Sequence, residues 1–149
     1  MGYTHLDGAE IYKTETELGR AIKESGVARS KLFVTGKVQS NAADIPSALK
    51  TSLKKLGIDQ VDLYLIHSPF ILGETKADHQ AAWRAMEEVQ AAGLAKSIGV
   101  SNFLPEHLDG LLETAKVVPA INQIEFHAYL QHPDPVSYTH LTLPTKRIV

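Results

Sequence analysis

The sequence predicts an α/β fold built on a parallel β-sheet. Three observations carry this prediction. Five short apolar segments alternate with four amphipathic ones, the pattern of repeated βαβ units. The segment at residues 61–67 is almost continuously apolar from Leu63 onward, as a strand covered on both faces of a parallel sheet is. Glycine or proline punctuates the boundaries between segments. Pattern alone leaves a doubly wound sheet and a closed barrel both open.

The first strand spans residues 3–7, with Leu6 its clearest core residue. Thr14 and Glu17 have the spacing of a capping box, Leu18 and Ile22 follow at helical spacing, and Gly26 stops the helix. A second strand begins at Leu32 and runs to Lys37. Asp44 is an N-cap, Pro46 is tolerated in the first turn, and Ile45, Leu49, Leu53 and Leu56 mark one helical face ended by Gly57. The third strand, residues 61–67, stops at Ser68 and Pro69. A helix over residues 77–92 carries Trp83, Met86 and Val89 and ends at Gly93. Residues 95–100 form a fourth strand. Pro105 opens a helix through Leu108, Leu111 and Leu112, and residues 120–126 form a fifth strand. His79 and His107 are expected to face solvent from their helices, and His5 to be structural.

Composition excludes several function classes. Fifteen basic and seventeen acidic residues leave a net charge of −2, so nothing electrostatic favours nucleic acid or a membrane surface. With no Cys there is neither a disulfide framework nor a thiolate metal site, which fits a cytoplasmic location. No apolar run approaches the roughly 20 residues of a transmembrane helix, and no secretory leader is visible at the start. No spacing of His or carboxylates suggests a metal. Neither a Gly-x-Gly-x-x-Gly nor a Gly-x-Ser-x-Gly pattern occurs.

In parallel α/β folds ligands bind at the carboxyl ends of the strands. Those ends carry Asp7 with Tyr12 beyond it, Lys37, His67, the pair Ser101 and Asn102, and Gln123. A buried ammonium near a phenol favours the phenolate, so a Tyr in that setting can act as a general acid toward a carbonyl oxygen. An Asp beside the Lys holds its charge in place, and a His can orient the carbonyl. Hydride must come from a cofactor. Singly, each residue has an ordinary structural reading: an Asp7–Lys37 ion pair, a surface Tyr12, a strand-capping His67, a turn or helix-cap pair at Ser101–Asn102, a satisfied core amide at Gln123. Their joint occurrence at successive strand ends is what points to chemistry.

Five segments, in order, resemble those of the aldo-keto reductases: residues 2–12 (GYTHLDGAEIY), 33–38 (FVTGKV), 61–69 (VDLYLIHSP), 98–103 (IGVSNF) and 119–127 (PAINQIEFH). The resemblance implies a partial (β/α)8 TIM barrel, five parallel strands with intervening helices, corresponding to strands two to six of eight. It implies reduction of aldehydes or ketones, with Tyr12 as general acid, Lys37 and Asp7 supporting it, and His67 orienting the small carbonyl substrate. Ser101, Asn102 and Gln123 would hold the carboxamide of NADPH (or NADH), with Asp7 also near the ribose, and the complete protein would be a monomer. Gly8 stands where Thr is commonest. Gln39 and Ser68 stand where many members place aromatic residues, which implies a less aromatic substrate pocket.

Residues 1–134 are therefore expected to form an incomplete barrel. Residues 135–149 lack periodicity, and the run 136–145 resembles a translated sequencing-library adapter, so that tail is expected to be non-native and disordered. An open sheet cannot bury the barrel interior, so the 149-residue chain alone is expected to be inactive. The alternative function is a non-catalytic barrel scaffold that binds a nicotinamide cofactor.

Overall fold

The computed structural model describes residues 2–73, 75–125, 127, 129 and 130. The 135–149 tail expected from the sequence lies outside them. The chain runs through β1 (His5–Asp7), α1 (Glu15–Glu24), β2 (Phe33–Val38), α2 (Ile45–Leu56), β3 (Val61–Ile66), α3 (Lys76–Ala91), β4 (Ala95–Ser101), α4 (Pro105–Leu112) and β5 (Asn122–Gln123). Every neighbouring strand pair is parallel, and the spatial order is the chain order, β1-β2-β3-β4-β5.

That order resolves the ambiguity left by the sequence. A doubly wound sheet reverses its strand order at a switch point and places helices on both faces. Among the described residues the order never reverses, and α1 to α4 all feed one apolar cluster, through Ile22, Leu49, Trp83 and Leu111 among others. The sheet is a curled half-barrel with its helices outside.

Strand alternation separates two faces. Val34, Tyr64, Ile66, Ile98 and Val100 join the cluster beneath the helices. Thr35, Lys37, Leu63, Leu65, Gly99 and Ser101 occupy the alternate positions, aligned across the sheet by the register Lys37↔Leu65↔Gly99. Leu65 is fully buried on that inner face because it leans over Gly99. A Cβ at Gly99 would lie 2.9 Å from the Leu65 side chain and 2.7 Å from the Ile121 carbonyl oxygen. Gly19 does the equivalent outside, where a Cβ would sit 2.5 Å from the Leu56 carbonyl oxygen, so α1 and α2 cross at a glycine.

The helix limits follow local chemistry. Asp44 accepts a hydrogen bond from the Ser47 amide, and Gly57 closes α2 in the left-handed region at φ 65°. The face Ile45, Leu49, Leu53 and Leu56 is buried as its spacing predicts, at about 1.5–3 kcal/mol per fully buried side chain. Trp83 is buried with its Nε1–H donating to the Val117 carbonyl at 2.9 Å.

Several expectations are corrected. Thr14 precedes α1, but its backbone, at φ −111° and ψ 11°, is not in the extended conformation of an N-cap and no side-chain cap forms. The box forms at α3 instead, between Thr75 and Asp78. His79 is buried, since it shares a helical face with Trp83 and Met86. His107 is half-buried, and its Nδ1 accepts from the Leu104 amide at 3.1 Å. Leu6 is only partly buried, because β1 has a neighbour on one side alone among the described residues. The fifth strand is reduced to two residues, although backbone bonds from Ala120 to Ile98 and from Val100 to Ile121 extend its contact with β4.

Three strands are tied together at their amino ends by Asp62. Its carboxylate accepts from Arg29 Nη2 at 2.6 Å, Lys96 Nζ at 2.6 Å and the Val34 amide at 2.9 Å. Burial opposes the charge of Asp62, but the bonds from Lys96, Val34 and Arg29 outweigh it and hold the carboxyl below its usual range.

Candidate active site

The seven polar residues singled out by the sequence meet at the carboxyl end of the sheet. Parallel pairing forces this, since strands in register end at one rim. Asp7 is the last residue of β1, Lys37 the penultimate residue of β2, and His67 directly follows β3. Ser101 ends β4 with Asn102 next, and Gln123 ends β5. Tyr12 arrives from the loop after β1, on the short 3₁₀ helix Glu10–Tyr12.

Lys37 is the hub. Its side chain is 2% exposed, so its ammonium must be paired. Nζ forms an ion pair with Asp7 Oδ1, donates to the Gly8 carbonyl at 3.2 Å, and lies 5.4 Å from the centre of the Tyr12 ring. The Tyr12 ring in turn meets the His67 ring edge-on, with centroids 5.7 Å apart. Tyr12 is half-exposed, whereas Lys37 beside it is buried.

Burial lowers the pKa of His67, and the Lys37 ammonium lowers it further, against the opposing pull of Asp7 and Glu10. The ring is therefore neutral at pH 7. Its Nδ1 is buried with no hydrogen-bond partner among the described residues. A proton there would leave a buried N–H unpaired, which costs about 1–3 kcal/mol, so the proton belongs on Nε2.

The remaining three residues form a linked amide and hydroxyl set. Asn102 sits in the left-handed region at φ 60°, which turns its side chain back so that Nδ2 donates to the His67 carbonyl at 2.9 Å and to Ser101 Oγ at 3.1 Å. Ser101 Oγ donates to the Gln123 carbonyl at 2.7 Å. Gln123 Nε2 donates to Asp7 Oδ2 at 2.9 Å, joining the last strand to the first across the curled mouth. Asn102 is thus no helix cap: Leu104 occupies that position for α4, and Asn122 pins the intervening loop through its bonds to Phe103.

An amide and hydroxyl set of this kind presents both donors and acceptors, as a carboxamide requires, so the residues fit a nicotinamide. Among the described residues no group of three or more His, Cys, Asp or Glu could hold a metal ion, and no helix is long and apolar enough to cross a membrane.

The model of the aldo/keto reductase family matches residues 1–141. The chain belongs to the aldo/keto reductase family. It is 51% identical over 126 residues to an NAD/NADP-dependent indole-3-acetaldehyde reductase of Schizosaccharomyces pombe, covering 85% of this chain and 44% of that protein. It is 44% identical to an NADPH-dependent alpha-keto amide reductase of Saccharomyces cerevisiae, covering 92% of this chain and 45% of that one. Its fold superposes on the crystal structure of an aldo/keto reductase from Brucella melitensis with a TM-score of 0.87 and 40% identity, over 95% of this chain and 54% of the other. The chain thus spans less than half the length of these two curated relatives.

One further side chain at this rim carries no local sequence signal. Glu10 ties the Tyr12 segment to the loop after β2, accepting from the Gln39 amide, from the Asn41 amide at 3.1 Å and from Asn41 Nδ2 at 3.0 Å. Its partners lie 29 and 31 residues away and two of them are backbone groups, so no local motif marks it.

Proposed function

We propose that these residues reduce aldehydes or ketones to alcohols, using NADPH or NADH. The observation that carries the proposal is the continuous run of contacts from Asp7 through Lys37 and Tyr12 to His67, at one rim with Ser101, Asn102 and Gln123. The names of the two curated relatives, both nicotinamide-dependent reductases, support it.

Ser101, Asn102 and Gln123 would hold the nicotinamide carboxamide, and Asp7 would lie near its ribose. The cofactor, when bound, supplies hydride to the carbonyl carbon. The neutral His67 donates its Nε2–H to the carbonyl oxygen and orients it. Tyr12 delivers its phenolic proton to that oxygen as negative charge develops there, and Lys37 stabilises the charge left on the phenol. Asp7 keeps the ammonium in position.

The 149-residue chain alone is proposed to lack turnover, because β1 and β5 each pair on one side only among the described residues. The experiment is to assay NADPH consumption with an aldehyde panel, for the longest coding sequence that contains these residues and for its Tyr12→Phe variant. Turnover abolished by Tyr12→Phe is expected. Absence of turnover in the unaltered protein, or unchanged turnover in the variant, sinks the proposal. Tight NADPH binding without turnover would instead favour a cofactor-binding scaffold.

A further inference from the structure

The 3₁₀ helix Glu10–Tyr12 buries none of its three residues, so apolar packing does not hold Tyr12 in place. Three other anchors are visible. Ala9 is buried just before the helix, the Gly8 amide donates to the Thr35 carbonyl at 2.9 Å, and the Glu10 carboxylate reaches the loop after β2. The first two fix where the segment leaves the sheet. Within the helix the Tyr12 amide donates to the Ala9 carbonyl at 3.1 Å, but among the described residues only the Glu10 side chain hydrogen-bonds from this helix to another element, two residues from Tyr12. It grips a loop that begins two residues after Lys37.

We infer that Glu10 is a positioning residue, whose carboxylate clamps the Tyr12 segment to residues 39–41 and so sets Tyr12 against Lys37 and His67. This rests on the proposed reductase role of that trio. The clamp is a multi-point one: Oε1 accepts from the amides of Gln39 and Asn41, and Oε2 from Asn41 Nδ2. A charged acceptor makes each of these bonds stronger than a neutral one would. Burial opposes the charge of Glu10, yet the bonds from Asn41 and Gln39 prevail and keep its carboxyl below the ordinary range. The clamp is therefore ionised at neutral pH. It also accounts for the edge-on contact of 5.7 Å that a half-exposed Tyr holds with His67.

Glu10 shares no hydrogen-bond partner with Asp7, Lys37 or His67, but its charge also acts on the His67 ring, so turnover alone would not isolate the clamp. The test therefore reads the ring geometry itself. In the 149-residue chain, NMR follows the proton cross-peaks between the Tyr12 and His67 rings, together with hydrogen exchange at the Gln39 and Asn41 amides. Glu10→Ala is expected to speed those amides by about tenfold or more and to remove the ring cross-peaks. The Trp83 indole resonance serves as the control for the core and is expected to stay unchanged. Glu10→Gln keeps one carbonyl oxygen able to accept both amides, so it is expected to retain the cross-peaks. Glu10→Asp keeps the charge but is one methylene short, and is expected to behave as Glu10→Ala; it decides the matter if the alanine variant fails to fold. Ring cross-peaks at full strength in the folded Glu10→Ala or Glu10→Asp chain would overturn the inference.

In the reductase assay of the longer protein, Glu10→Ala is expected to lower kcat by about tenfold or more while NADPH binding is unchanged, since a misplacement near 1 Å is enough for such losses. No turnover in the unaltered protein would sink the reductase reading alone, and the clamp would still be decided by the ring cross-peaks.

Discussion

Replacing Asp62 by Asn tests the polar tie at the amino ends of β2, β3 and β4. The carboxylate is 6% exposed and takes three donors: Arg29, Lys96 and the Val34 amide. Lys96 is more than half exposed, so its pair adds little, about 0–1 kcal/mol. Arg29 is only partly exposed and its side chain also holds the Leu32 and Gln60 carbonyls, so losing its anion weakens a larger knot. The Val34 amide is buried, and an asparagine whose nitrogen faced it would leave that donor unpaired, at about 1–3 kcal/mol. Together these give a destabilisation of about 3 kcal/mol, consistent with the effect of breaking a buried charge pair. The folded-state pKa of Asp62 lies below its unfolded value of 3.8, so its contribution is fully present above that pH and is lost as pH falls through the folded value. Urea unfolding monitored by the single buried Trp83 is the assay. At pH 7 the midpoint is expected to fall by about 1–3 M for a slope of about 1–3 kcal/mol per M. At the acid end of the window the gap between wild type and variant should narrow. A loss under about 0.5 kcal/mol at pH 7, or a gap that widens on acidification, would mean that the ionised Asp62 does not hold these strands together.

Three further outcomes are expected. Gly19→Ala places a methyl 2.5 Å from the Leu56 carbonyl oxygen, so overpacking of about 1–3 kcal/mol exceeds the roughly 1 kcal/mol gained in helix propensity; a urea midpoint at or above wild type would contradict this. The His67 ring should titrate by NMR with a midpoint below 6.5, and since its folded-state pKa is depressed, stability should be lost as pH falls from 6.5 through that midpoint; a midpoint at or above 6.5 would mean that burial and Lys37 do not dominate its surroundings. In the reductase assay, Lys37→Met should lower kcat by about 10²–10⁴-fold; full activity would remove Lys37 from the proposed chemistry.

Much of the architecture was legible because a parallel sheet under helices writes itself plainly. Residues 61–66 are buried on both faces, and Gly26, Gly57 and Gly93 all take the positive φ that their positions after helices call for. The candidate residues were legible for a related reason: a polar side chain that ends an apolar strand stands at the rim where a parallel sheet meets its ligands. What was missed depends on separation in sequence. Asp62 looks like an interruption of an apolar run until Arg29 and Lys96 arrive from either side. Glu10 looks like any loop glutamate until residues 39–41 fold against it. His79 was readable after all: it stands four residues before Trp83 and seven before Met86, on their buried face. The brevity of β5 had no signal in the alternation of residues 120–126, because it follows from pairing on one side only among the described residues.

The Asp7 carboxylate divides its two oxygens, one to the Lys37 ammonium and one to the Gln123 amide. Two parts of the rim with different proposed duties therefore draw on one group. Substitutions at positions 37 and 123 are expected to be coupled: removing either partner frees the carboxylate to turn toward the other. A double-mutant cycle between them should give a coupling energy well outside additivity, even though β2 and β5, which carry them, are separated in the sheet by two other strands.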